Sequence, residues 1–120
     1  MYKENILALW KEPENFRKLE THTHVWHGLN ESCGDDIVVY LAVVAGVIRD
    51  AAFTGKGCAL CMASASVATE SAKGKSIDGL NEMSSEDLLK MLEIEVHPAR
   101  LKCILLPLES MQKAVRENKK

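Results

Sequence analysis

Residues 37–53 have the sequence IVVYLAVVAGVIRDAAF, and the fold of the chain is built around this stretch. The segment from Ile37 to Ala45 is almost entirely apolar and rich in valine, which is typical of a central strand buried on both faces. Gly46 allows a tight turn, and Val47 to Phe53 supplies another strand. Because the connection between them is so short, the two strands are expected to pair antiparallel.

Outside this hairpin, the sequence predicts one further strand and several helices. The segment from His22 to Leu29 alternates loosely between apolar and polar residues and is expected at the edge of the sheet. Helices are predicted at about 2–11, 59–72 and 84–92, with a last one starting near 103–106. Pro107 determines the predicted start of this last helix, because proline is tolerated only in the first turn of a helix. The order of elements predicts an α+β fold, a small three-stranded antiparallel sheet with helices packed on one side.

The length, the net charge and the distribution of apolar residues exclude several classes of protein. A chain of 120 residues is expected to form a single domain over 1–120 that buries a core without disulfides. Its net charge of −2 provides no basic field for a nucleic acid. The first residues, MYKENILALWKEPEN, do not have the pattern of a signal peptide, and no run of about 18 apolar residues predicts a membrane span. A cytoplasmic location is therefore expected, where thiols stay reduced.

Three of the four cysteines lie in separated segments, each beside a predicted turn or helix start: Cys33, Cys58 and Cys103. In a reducing compartment such cysteines are more typical of ligands or reactive thiols than of disulfides. Cys58 and Cys103 are each predicted at a helix N-terminus, where the helix dipole lowers the pKa of a thiol and favours the thiolate. We therefore predict that the three thiolates converge on one soft metal centre.

Further polar residues accompany these cysteines. Asp35 follows Cys33 by two residues, and an extended backbone would point both side chains the same way. Its carboxylate is a hard ligand among soft thiolates, which suits a site that loads and unloads its metal. Cys61 completes a Cys-x-x-Cys pair and is a candidate extra ligand or relay thiol. Lys102 places a positive charge beside the third cysteine, although a protonated lysine is not a ligand.

The chain resembles the NifU/IscU/SufU family of iron–sulfur cluster assembly scaffolds over nearly its whole length. The stretches that carry the resemblance are NESCGD at 30–35, DAAFTGKGC at 50–58, MASAS at 62–66, GK at 74–75 and RLKC at 100–103. No single motif would suffice, but together they are specific. The resemblance implies the α+β scaffold fold of that family, in agreement with the fold predicted above.

The resemblance also implies a function and roles for the site residues. Cys33, Cys58 and Cys103 would be cluster ligands, and Asp35 would keep the cluster labile. Cys103 matches the usual acceptor of persulfide sulfur from a cysteine desulfurase. The protein would be a scaffold and not an enzyme, assembling a 2Fe–2S cluster from this sulfur and iron and passing it to apo-proteins. Whether the chain forms a homodimer is left open.

Two alternatives stay open beside the scaffold. Lys102 stands at the position where the IscU branch has a histidine, and in this respect the chain resembles the SufU branch. The insertion that SufU proteins usually carry before the third cysteine is, however, missing. The chain could then be a SufU-type sulfur acceptor, with zinc held by the three thiolates and Asp35. A thiol redox protein using Cys58 and Cys61 lacks a βαβ context and leaves the other two cysteines unexplained.

Overall fold

The computed structural model describes residues 4–117, and its central element is an antiparallel sheet. The strands lie in the spatial order β1 (His24–Asn30), β2 (Asp35–Val44) and β3 (Val47–Lys56). Strand β2 is therefore central and β1 lies at an edge, as predicted. Ala45 and Gly46 form the hairpin turn with φ values of 53° and 77°, the left-handed conformation that matches the twist of a two-residue hairpin.

Five helices lie within the described residues. They are α1 (Glu4–Lys11), α2 (Ala59–Ala72), α3 (Ile77–Asn81), α4 (Ser85–Leu92) and α5 (Leu101–Glu117), the last preceded by a 3-10 turn at Pro98–Arg100. Residues 2 and 3, with which α1 was predicted to begin, lie outside the described part. Helix α3 and the 3-10 turn were not predicted, because such short elements produce no periodic pattern. Between residues 4 and 117, every helix is too short or too polar to cross a bilayer.

The helices pack on one face of the sheet. The side chains of β2 that point to this face alternate along the strand and are fully buried: Ile37, Val39 and Leu41. They share a core with side chains of α1, α2, α4 and α5. The opposite face carries a smaller cluster of Tyr40, Ala52 and Leu19, the last from the segment between α1 and β1. This arrangement confirms the predicted α+β fold.

Helix α5 begins earlier than predicted, so the expected position of Cys103 at or before its N-terminus is wrong. The helix starts at Leu101, which places Cys103 inside the first turn and Pro107 beyond it. Pro107 has no N–H to donate to the carbonyl four residues earlier, at a cost of about 3 kcal/mol. Burial of one large apolar side chain contributes about 1.5–3 kcal/mol, and α5 buries several: Ile104, Leu108 and Met111. Packing thus outweighs the local preference of the proline.

Strand β3 extends three residues past its predicted end at Phe53, and Gly55 makes this extension possible. Gly55 has φ = 119°, and a Cβ built on it would lie 2.2 Å from the carbonyl oxygen of Asp36. The end of β3 therefore approaches the start of β2 more closely than a side chain would allow. This close approach brings the segment that follows β3 up to Asp35.

We expect Gly55→Ala to lower the free energy of unfolding by at least about 2 kcal/mol, because it combines backbone strain with a clash against main-chain atoms. Urea denaturation measures this change. Gly46→Ala is the matched control: Gly46 also has positive φ, but a Cβ on it would have no neighbouring atom within 4 Å. Its cost should stay at about 1 kcal/mol, and equal costs for the two variants would contradict the close approach.

Candidate metal centre

The connection between β1 and β2 carries two of the predicted ligands. Cys33 lies in a turn closed by its N–H, which donates to the Asn30 carbonyl at 3.2 Å. Gly34 has φ = 75°, so the backbone turns tightly between Cys33 and Asp35 and is not extended there. The two side chains nevertheless come together, because the turn folds Cys33 back over the first residue of β2. Asp35 is fully buried there.

Cys58 is the N-cap residue of α2, as its predicted place at a helix start requires. Its backbone N–H donates to Asp35 Oδ1 at 3.0 Å. Its Sγ accepts a hydrogen bond from the Cys61 N–H at 3.4 Å, in the way that a serine oxygen would cap the helix. Cys58 thereby connects the start of α2 to the start of β2.

Cys103 approaches the same point from α5 and is fully buried. The sulfur atoms of Cys33 and Cys103 and a carboxylate oxygen of Asp35 all lie within 4.8 Å of one another, a spacing that one metal ion can bridge. Cys58 is not within that distance of all three, although it is among the neighbours that raise the pKa of the Cys103 thiol. Three elements that are distant in sequence thus contribute sulfur atoms to one small volume.

The second oxygen of Asp35 is the feature of this cluster that best fits a cation. Asp35 Oδ2 is buried and has no hydrogen-bond partner within residues 4–117. A buried polar oxygen without a partner costs about 1–3 kcal/mol, and more when it is charged. A metal ion bound between Asp35 and the sulfur atoms would supply the missing interaction, so the donor set fits a soft cation with one oxygen ligand.

The pKa of the Cys103 thiol shifts in the direction opposite to the one predicted from a helix start. Burial raises the pKa of the Cys103 thiol, and the neighbouring groups Cys33, Asp35 and Cys58 raise it further. The predicted lowering of this pKa is therefore wrong: burial and acidic neighbours outweigh the helix dipole. Burial likewise raises the pKa of Cys61, with the Asp35 carboxylate as the next cause. Metal binding at this cluster has to displace protons.

The two remaining predicted residues, Cys61 and Lys102, differ in burial. Cys61 is fully buried in the first turn of α2, whereas Lys102 is exposed on α5 and makes no hydrogen bond to the cluster among the described residues.

Gly57 is a residue of the site that the sequence analysis did not predict. A Cβ built on it would lie 2.9 Å from Asp35 Oδ1 and 3.0 Å from Cys61 Sγ, so only glycine lets these groups come so close. Its place directly before a cysteine in the GKGC motif was the available signal.

The fold and the cluster together define an α+β protein with a candidate cysteine–aspartate metal centre. The family model for the NifU-like N terminal domain matches residues 1–120, and the chain belongs to this family. The resemblance inferred from the motifs is thereby confirmed.

Individual relatives agree with this assignment. The chain is 35% identical to the iron–sulfur cluster assembly scaffold protein IscU of Thermotoga maritima, over 98% of this chain and 94% of that protein. It is 31% identical to the zinc-dependent sulfurtransferase SufU of Bacillus subtilis, over 96% of this chain and 89% of that protein. The crystal structure of FiSufU from Fervidobacterium islandicum superposes with a TM-score of 0.79 at 28% identity, covering 95% of this chain and 96% of that one.

The raised pKa of Cys61 predicts that the metal-free protein loses stability in alkali. Above the ordinary thiol pKa of 9.0, the unfolded chain releases the Cys61 proton while the folded chain retains it, so stability falls as pH rises. Between pH 8 and about pH 10 this thiol should cost about 1.4 kcal/mol. Urea denaturation with reductant and chelator should show a shallower decline for Cys61→Ala than for the unmodified protein. Parallel pH profiles would contradict the assignment.

Proposed function

We propose that this protein is a scaffold on which an iron–sulfur cluster is assembled, with Cys33, Asp35, Cys58 and Cys103 as the ligand residues. The observation that carries the proposal is the convergence of the Cys33 and Cys103 thiols on Asp35, whose Oδ2 is buried without a partner in the described chain. Cysteine thiolates are the usual ligands of iron–sulfur clusters. Similarity to the Thermotoga protein, which is named a cluster assembly scaffold, supports the same conclusion.

Under this proposal, a cysteine desulfurase supplies sulfur as a persulfide. Cys103 attacks the outer sulfur of that persulfide and becomes a persulfide itself, and the desulfurase regains its thiol. Cys33 and Cys58 are partly exposed whereas Cys103 is fully buried, so the persulfide of the donor must enter the site past the first two residues before Cys103 can attack it. Iron and electrons then complete a 2Fe–2S cluster, which is cargo for apo-proteins, and the protein is therefore a scaffold and not an enzyme.

Asp35 is proposed as the residue that keeps the cluster transferable. Its Oδ1 accepts a hydrogen bond from the Cys58 N–H, and its Oδ2, which has no partner among the described residues, would be available to a metal ion. An oxygen ligand matches a soft thiolate site less well than a fourth sulfur would. A thiolate of a recipient protein can therefore displace Asp35 first and begin the transfer.

A second candidate is a zinc-binding sulfur acceptor of the SufU type. Its support is the similarity to the zinc-dependent sulfurtransferase SufU and a donor set of three thiolates and one carboxylate, which also completes a tetrahedral zinc site. In that case the incoming persulfide would exchange with a zinc ligand. The cluster would be built elsewhere.

Anaerobic purification followed by metal and sulfide analysis separates these two proposals. After addition of iron, cysteine and a cysteine desulfurase, the scaffold should develop visible charge-transfer bands with about equal iron and sulfide. The purified chain serves as its own control before these additions. Stoichiometric zinc that iron does not displace, with no visible bands, would instead establish the zinc-type sulfur acceptor.

We expect Asp35→Ala to slow cluster transfer to an apo-ferredoxin severalfold, because the most easily displaced ligand is lost. The transfer rate is measured from the spectrum of the recipient. Asp36→Ala is the matched control: this neighbouring carboxylate is half-buried and pairs with His27, at 2.5 Å between Oδ1 and Nε2. Equal transfer rates for Asp35→Ala and the unmodified protein would exclude Asp35 as the release element.

A further inference from the structure

Cys61 is a fourth thiol that is not part of the proposed ligand set. It is fully buried in the first turn of α2, three residues after the N-cap Cys58, and its N–H donates to the Cys58 sulfur at 3.4 Å. Residues three apart in a helix have Cβ atoms about 5–6 Å apart. A small shift of the N-cap residue therefore brings the pair to disulfide distance, about 3.5–4.5 Å between Cβ atoms.

The two thiols differ in exposure in the way that an attacking and a resolving thiol require. Cys58 is half-buried and can be reached by a sulfur donor, whereas Cys61 has no exposed surface. A donor in solution therefore reacts with Cys58, and Cys61 can react only with a group already attached at the site. Thiol–disulfide exchange depends on such access as well as on the thiolate fraction.

The Cys61 sulfur belongs to the buried core and also lies close to the ligand cluster. Cys61 Sγ and Asp35 Oδ1 both lie within 3.0 Å of one point, the position that a Cβ on Gly57 would occupy. The same Asp35 has its other oxygen buried without a partner in the described structure. Any sulfide released at Cys58 would thus appear beside the residues proposed to hold iron.

We propose that Cys58 and Cys61 form a dithiol that reduces sulfane sulfur to sulfide at the assembly site. The inference rests on the proposed function, because that function brings persulfide sulfur to the protein. It adds a source for the two electrons that each sulfur atom needs before it can enter a cluster as sulfide.

The reaction proceeds in two balanced steps. First, the Cys58 thiolate attacks the outer sulfur of a persulfide, on the donor or on Cys103, and becomes a persulfide while the donor regains its thiol. Second, Cys61 Sγ attacks Cys58 Sγ, the persulfide S–S bond breaks, and the outer sulfur leaves with the Cys61 proton as hydrogen sulfide. The sulfane sulfur gains two electrons, and the two cysteines become a disulfide. A dithiol reductant must reopen this disulfide before Cys58 can bind metal or react again.

The test uses the metal-free, reduced full-length protein under argon, freed of reductant and treated with one equivalent of glutathione persulfide. Sulfide is quantified, and the protein is alkylated and digested with trypsin. Cleavage after Lys56 and Lys73 leaves both cysteines in the peptide 57–73. We expect this peptide to become two hydrogens lighter and resistant to alkylation in proportion to the sulfide released. A disulfide to Cys33 or Cys103 instead, or no sulfide, would overturn the proposal without any variant.

Cys61→Ser supplies the matched variant, because it replaces one sulfur by oxygen at the same buried position. Most of the sulfide release should be lost, and peptide 57–73 should retain one extra sulfur as the Cys58 persulfide. Release from this variant at the rate of the unmodified protein would overturn the proposal. Circular dichroism checks its fold, and the peptide mapping of the unmodified protein decides the question if the variant does not fold.

Cluster assembly from iron and inorganic sulfide separates this inference from the proposed function. Cys61→Ser should then assemble a cluster as the unmodified protein does, because Cys61 is not among the proposed ligands. With glutathione persulfide as the sulfur source, the two proteins are compared by the sulfide released before any reductant is added, because the Cys58–Cys61 disulfide removes Cys58 from the ligand set of the unmodified protein. If the unmodified protein assembles no cluster from inorganic sulfide, the scaffold proposal fails, and the sulfide release still decides whether the dithiol is active.

Discussion

The hydrogen bond from the Cys58 N–H to Asp35 Oδ1 is the interaction on which the site depends. It joins the first residue of the central strand to the start of α2 and holds a carboxylate where water does not reach it. One charge-assisted hydrogen bond contributes about 1.5–3 kcal/mol, whereas removing a carboxylate from water costs several kcal/mol. One hydrogen bond therefore compensates only part of the cost of burying Asp35, and a cation bound there would supply the rest. Under the proposed function, metal loading of the site would for this reason raise the stability of the fold.

The position of Cys103 depends on how closely α5 approaches α2. Small side chains line the buried face of α2, and the Ser64 hydroxyl donates to the carbonyl of Ile104 at 2.5 Å. This bond ties α5 to α2 one residue after Cys103. It lies one residue from the Cys103 carbonyl, which would accept the hydrogen bond that Pro107 cannot donate. A side-chain contact between helices thus stabilises α5 at its weakest point and keeps the third thiol at the cluster.

Much of the architecture was predictable from local patterns. The apolar run from 37 to 45 predicted the central strand, and α2 has the bounds that its small residues indicated. The start of α5 was not predictable, because Pro107 argues locally for a later start and only the buried apolar face overrides it. Gly34 illustrates the same limit: an extended backbone was one way to bring Cys33 and Asp35 to the same side, and they meet instead through a left-handed turn.

By itself, the sequence determined which residues could form a metal centre. Cysteines beside turns and helix starts, with a carboxylate two residues from one of them, have the chemistry of such a site wherever the chain folds. Only the tertiary structure decided that Cys33, Cys103 and Asp35 meet within 4.8 Å, that Asp35 Oδ2 lacks a partner in the described chain, and that the Cys103 thiol holds its proton with a raised pKa. Distances between remote segments and the loss of water around a charge arise from packing, and neither has a signature in local sequence.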